Sequence, residues 1–133
     1  MRELFRLAME ARKQSYSPYS GFRVGAALEA CSGKVYVGCN IENAAYTPTI
    51  CAERTAFFKA VSEGEKEFKR IMIVGGKDEI LTDYTFPCGV CRQVMAEFCE
   101  DDFEIITAIS EEEYKVYHLK ELLPERFGKE DLK

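Results

Sequence analysis

The sequence predicts an α/β fold built on a mixed five-stranded sheet, and three observations carry that expectation. Two strand-like runs, 22–30 and 34–39, are separated only by Cys31-Ser32-Gly33 and read as a hairpin, so the first two strands lie antiparallel. A short apolar run at 71–74, a helical pattern of Val90, Val94 and Phe98, and a second run at 103–109 form a strand–helix–strand unit. Such a unit makes a parallel pair with a right-handed crossover. Four residues then separate Ile109 from the last strand pattern, 114–117. A parallel return needs about a dozen residues or more, so strand 5 runs antiparallel to strand 4.

Each element has its own local reason. Leu4, Leu7, Ala8 and Ala11 recur at helical spacing, with Arg2, Glu3, Arg6, Glu10, Arg12 and Lys13 opposite them, which predicts a surface helix. Ser-Pro and Ser-Gly pairs at 15–21 break it into a loop. The polar segment 40–50, with Tyr46 and Pro48, is too long for a tight turn and is expected to be functional. The next helix, 52–62, carries Ala52, Ala56, Phe57, Phe58, Ala60 and Val61 around much of its circumference and closes at Gly64, so it is expected to be central. The run at 71–74 suits a strand buried on both faces. A loop, 77–86, leads to a helix starting at Gly89, and 119–123 adds one helical turn stopped by Pro124, before a polar tail from Gly128.

Composition bounds what such a fold does. The 133 residues suit a single domain, 1–133, and 47% hydrophobic with 31% charged residues is ordinary for a globular protein. No apolar run approaches membrane-spanning length, and residues 1–6 enter an amphipathic pattern without a leader, so no membrane and a cytoplasmic location are expected. The net charge of −5 lacks the basic footprint of a nucleic-acid partner. Six cysteines, two of them in a CxxC, point to metal rather than disulfides in such a chain. Cys31, Cys39 and Cys99 lie in strand and helix patterns and are expected to be small buried hydrophobes.

The chemistry gathers in two stretches, Thr49-Ile50-Cys51-Ala52-Glu53-Arg54-Thr55 and Phe86-Pro87-Cys88-Gly89-Val90-Cys91-Arg92. Catalytic zinc is typically held by three protein ligands with a fourth position left open, and Cys51, Cys88 and Cys91 supply three thiolates. Cys51 and Cys88 each precede a helix, where free backbone N–H groups and the positive end of the helix dipole favour thiolate. Arg54 and Arg92 are placed to donate to the sulfurs and offset their charge. Glu53, beside the cluster but not needed as a ligand, suits general base and then general acid work on water.

The pairing of Cys51-x-Glu53 with Pro87-Cys88-x-x-Cys91 resembles the zinc-dependent nucleoside and nucleobase deaminases. Over nearly its whole length the chain is similar to the small three-cysteine branch of the cytidine deaminase family, through residues 19–27, 38–44, 51–56, 87–93 and 121–124. The resemblance implies a three-layer α/β/α arrangement, one zinc ion per chain, and hydrolysis of cytidine and deoxycytidine to uridine and deoxyuridine in pyrimidine salvage. It implies that Phe22 packs on the pyrimidine and that Asn40 and Glu42 bind the ribose hydroxyls. It further implies that the backbone N–H of Ala52 would hold the 2-carbonyl and that the carbonyl of Phe86 would accept from the departing amino group, at a position where many relatives carry Ser or Thr. Ala44, Tyr46 and Phe127 match positions that reach a neighbouring subunit's site, which implies a homotetramer with shared active sites. His118, the single histidine, has no such role and is expected to be structural or at the surface.

Three other readings compete for the same residues. A deaminase of a related cytosine nucleoside such as blasticidin S shares the zinc motifs, but Glu42 and Phe22-Arg23-Val24-Gly25 resemble the cytidine branch better. A structural-zinc binding module normally has four protein ligands at compact spacing, whereas thirty-six residues separate Cys51 from Cys88. A redox pair at Cys88 and Cys91 leaves Cys51 and Glu53 without a task.

Overall fold

Alternating apolar residues decide how the layers stack, and β3 (Phe68–Gly76) shows it most clearly. In a strand, neighbouring side chains face opposite ways. Ile71 and Ile73 enter one core while Met72 and Val74 enter the other. The computed structural model, which describes residues 1–133, accordingly holds a five-stranded sheet between two helical layers. The elements are α1 (Arg2–Arg12), β1 (Arg23–Ala30), β2 (Val35–Cys39), α2 (Ala52–Ser62), β3, α3 (Gly89–Phe98), β4 (Glu104–Ala108), β5 (Tyr114–His118), α4 (Leu119–Leu122) and a terminal 3-10 turn (Lys129–Leu132).

The strand order is β2-β1-β3-β4-β5. β1 pairs antiparallel with β2 and β3, β3 and β4 are parallel, and β5 returns antiparallel to β4, as the short connection 109–113 requires. On one face α2 and α3 cover a core around Leu28, Phe57, Ile71, Ile73, Met95 and Ile105. Phe57 sits at its centre, edge-on to Phe68 at 5.1 Å and stacked on Phe98 at 6.4 Å. On the other face α1 lays Leu4 and Ala8 over Ala27, Met72, Val74 and Ile106.

Two glycines set how closely the helices approach. A Cβ at Gly25 would lie 2.0 Å from the carbonyl oxygen of Ala8, and one at Gly38 would lie 2.6 Å from that of Ala52. α1 therefore rests on bare β1 backbone, and the first turn of α2 rests on β2. The second approach fixes the start of the helix that follows Cys51.

Two expectations need correction. Arg12 belongs by periodicity to the solvent side of α1, yet it is buried. Its guanidinium donates to the carbonyls of Arg23 and Gly76, the terminal pair of the β1–β3 ladder, and of Asp78 beyond it. Cys31 is exposed and not buried, because the hairpin turn after β1 leaves it uncovered, while Cys99 is buried as expected and Cys39 is half-buried.

Candidate metal centre and active site

Both helices that carry the cysteines begin at them. Cys51 is the N-cap of α2 and Cys88 the N-cap of α3, each with extended backbone, and Cys91 lies in the first turn of α3. Neither N-cap side chain bonds back to its own helix, so the thiols are free to face one another. The sulfurs of Cys51, Cys88 and Cys91 all lie within 4.8 Å of one another, and Cys51 and Cys88 are 3.6 Å apart. Tetrahedral ligands about 2.3 Å from a zinc ion stand about 3.8 Å from each other, so the three sulfurs fit that ion.

The donor set fits as well. The Cys51 thiol is drawn down to about 5, first by the hydrogen bond from Cys91, then by Arg54 and Cys88, against the effect of burial. Cys91 is pushed strongly upward by its hydrogen bond to Cys51, by burial, and by the charges of Glu53 and Cys51. Thiols crowded this closely concentrate negative charge that a dication neutralises. Arg54 donates from Nη2 to Cys51 Sγ at 3.3 Å, and its buried Nε has no partner, an orphaned donor beside the cluster. These residues fit a zinc ion, and Cys51, Cys88 and Cys91 would hold it.

Glu53, the second residue of α2, is only 3% exposed. Burial pushes its carboxyl up to about 7, with the charge of Cys51 adding to the shift. Ala52 is fully buried at the first helical position, where its N–H is not used by the helix. Arg92 departs from the sequence-based expectation. Its guanidinium donates to the carbonyls of Pro87 and Leu122, at 2.8 and 2.7 Å, and not to a sulfur.

The loop before Cys51 is tied at its neck by reciprocal bonds between Ile41 and Ile50, both 3.0 Å. Asn40, at the end of β2, uses its amide within the protein. Its Oδ1 accepts from the backbone N–H of Val24 at 2.9 Å and from the Ser15 hydroxyl, and its Nδ2 donates to the Phe22 carbonyl at 2.8 Å. Glu42 accepts from the hydroxyl of Ser20 and from the backbone N–H groups of Tyr19 and Ser20. The Ser20 hydroxyl leads in holding its carboxyl below the usual carboxylate range. Glu42 lines a 370 Å³ cleft with Tyr19, Ser20, Asn43, Tyr46 and Thr49. Sequence reasoning gives neither Ser15 nor Ser20 a role at the site, placing both in a loop set by Ser-Pro and Ser-Gly breakers and Ser20 also within the 19–27 match.

Most of the remaining predicted residues lie exposed at the surface. Phe22 and Phe86 are exposed, and Phe86 sets its ring edge-on to Tyr117 at 5.7 Å. Ala44 is exposed, Tyr46 is 84% exposed and Phe127 61%, so these three touch little of their own chain. His118 starts α4, its backbone N–H donating to Glu121. A larger cavity, 840 Å³, lies at the far end of α3 beside Cys99 and Arg70, with charges of both signs and no converging donor set.

A family model described as "Cytidine and deoxycytidylate deaminase zinc-binding region" matches residues 1–107. The cytidine deaminase of Sporosarcina psychrophila is 49% identical over 92% of this chain and 88% of that protein. That of Halalkalibacterium halodurans is 44% identical over 97% and 95%. Among solved structures, the cytidine deaminase of Burkholderia pseudomallei superposes with a TM-score of 0.85 at 42% identity, covering 94% of this chain and 97% of that one. The Mycobacterium tuberculosis cytidine deaminase gives 0.80 at 35% identity over 95% of each.

Proposed function

The chain belongs to the cytidine deaminase family of zinc-dependent hydrolases, and on that premise we propose that it converts cytidine and deoxycytidine to uridine and deoxyuridine with release of ammonia, as a step of pyrimidine salvage. The observation that carries this reading is a buried carboxyl, Glu53, packed beside three converging sulfurs at two helix N-termini. When bound, zinc supplies a Lewis acid that lowers the pKa of water and makes it nucleophilic near neutral pH. Glu53 then carries protons: it accepts one from the water adding at C4, delivers it to N3, and passes the second to the departing amino group. Cytidine and water thus leave as uridine and ammonia. Arg54 steadies the sulfur charge. The Ala52 N–H holds the 2-carbonyl, the Phe86 carbonyl receives the amino group, and Phe22 packs on the base. Asn40 and Glu42 address the ribose hydroxyls, with Asn40 shaping the site as well through its bonds to Phe22 and Val24.

A structural-zinc module fits less well, since only three ligands converge and Cys88 is open to solvent. A Cys88–Cys91 redox pair leaves the Arg54–Cys51 contact and buried Glu53 without a role. The blasticidin S reading finds no support among the relatives, which are named cytidine deaminases.

The reading extends to the assembly and its setting. Exposed Ala44, Tyr46 and Phe127 fit a homotetramer in which each reaches the site of another copy. No helix is long and apolar enough to cross a membrane. Thiols that must stay reduced to hold metal suit the cytoplasm.

The test follows ultraviolet absorbance as purified protein meets cytidine. Zinc-replete wild type is expected to form uridine, zinc-stripped protein to lose that activity and regain it with added zinc. Glu53→Ala is expected to bind zinc while losing roughly 10²–10⁴-fold in rate. Full activity in Glu53→Ala, or a zinc-replete oligomer inert toward cytidine and deoxycytidine, would overturn the proposal.

A further inference from the structure

We propose that Arg92 is a positioning residue for the metal centre, clamping the Pro87–Cys88 turn to the C-terminal β5–α4 unit; the proposal rests on the zinc reading above. Its guanidinium bridges two carbonyls, Nε to Pro87 and Nη1 to Leu122. Both acceptors are orphans of helix geometry. Pro87 precedes the N-cap of α3 and so lies outside its ladder, while Leu122 closes a four-residue helix whose last carbonyls have no intrahelical donor. Pro87 is buried, so water does not readily replace the arginine there. A planar fork meets two divergent carbonyls at once, whereas an ammonium is a point charge on a flexible stem.

The neighbours of Arg92 act in the same sense. Phe86 rests on Tyr117 of β5, and Gln93 donates to the carbonyl of Phe127 at 2.8 Å. Residues 86, 92 and 93, which flank the Cys88–Cys91 pair, are thus each tied to the segment 117–127. The other half of the site has different anchors: Thr55 Oγ1 donates to the Cys39 carbonyl at 3.1 Å, and α2 rests on Gly38. Cys88 is the exposed ligand of the three. The peptide that aims its sulfur is the one whose carbonyl Arg92 holds, so loosening that peptide frees a ligand without touching the sulfur.

The experiment loads wild type, Arg92→Ala and Arg92→Lys with zinc and follows its release to an excess of a chromophoric chelator, alongside circular dichroism and cytidine turnover. Folded Arg92→Ala is expected to release zinc roughly ten- to a hundredfold faster, the range for removing a partner that orients a ligand. Arg92→Lys is expected to fall between, since its amine reaches one carbonyl. Turnover should track zinc occupancy, with KM for cytidine unchanged. Folded Arg92→Ala that releases zinc at the wild-type rate overturns the proposal. If the alanine variant does not fold, the lysine variant decides: faster release supports the clamp and wild-type release overturns it. Wild type that retains no zinc overturns the zinc reading and the clamp together, a result distinguishable from equal release by zinc-replete proteins.

Discussion

Glu42 shows how a single side chain is prepared by its neighbours. Two backbone N–H groups and the Ser20 hydroxyl converge on its carboxylate, and all three favour the charged form. Its pKa is lower in the folded chain than in the unfolded one, so the tie is complete above the ordinary carboxylate range and fails as pH drops through the depressed folded value. Ser20→Ala removes the leading contributor. Carboxyl NMR is expected to show Glu42 titrating at higher pH in that variant than in wild type, and an unchanged midpoint would show that the hydroxyl does not hold it. At this scale the site was legible where chemistry depends on local spacing. Cys51, Glu53, Cys88 and Cys91 declare themselves because two helix starts and one carboxyl need only a few adjacent residues. Arg12 and Arg92 did not, because a long side chain's partners are carbonyls set by strand ends and by another helix, many residues away in sequence.

Elements are placed by backbone approach as much as by apolar periodicity. α1 lies on β1 because Gly25 has no Cβ to meet the Ala8 carbonyl, which would otherwise be 2.0 Å away. Gly25→Ala must lift the helix or bend the strand, since the obstacle is backbone. Overpacking of this kind costs about 1–3 kcal/mol, so a thermal melt is expected to show a clear fall in Tm. An unchanged Tm would mean that α1 does not hold this seat. Element types were legible from period alone, as the agreement at Ala52–Ser62 and Gly89–Phe98 shows. The edges were less so. β3 runs from Phe68, past Lys69 and Arg70, because Arg70 is matched across the sheet by Glu29 at 2.9 Å and Glu104 at 3.0 Å. Charges that look like loop polarity in one strand become a ladder once three strands align.

The whole molecule raises the question of what covers its open site. Phe22, Tyr46, Phe86, Val90 and Phe127 are all exposed, and single exposed apolar residues are ordinary, but these flank the metal cysteines or the Glu42 cleft, or belong to the tail tied to α3. The proposed homotetramer would cover them with a second copy of the chain, and a site completed across a subunit boundary would have a signature that no monomer shares. On that proposal, Phe127→Ala leaves Glu53 intact but withdraws the ring offered to the neighbour's site, while Glu53→Ala leaves the ring and withdraws the proposed proton carrier. Each variant alone is expected to be impaired. In hybrids formed by dissociating and reassembling the two together, a site with its own Glu53 can receive Phe127 from the Glu53→Ala subunit. Activity is then expected to rise above the mean of the parents, with sedimentation showing the same oligomer in all samples. Hybrids that merely average the parents, or a fully active monomer, would mean that each chain completes its site alone and that Phe127 faces solvent for another reason.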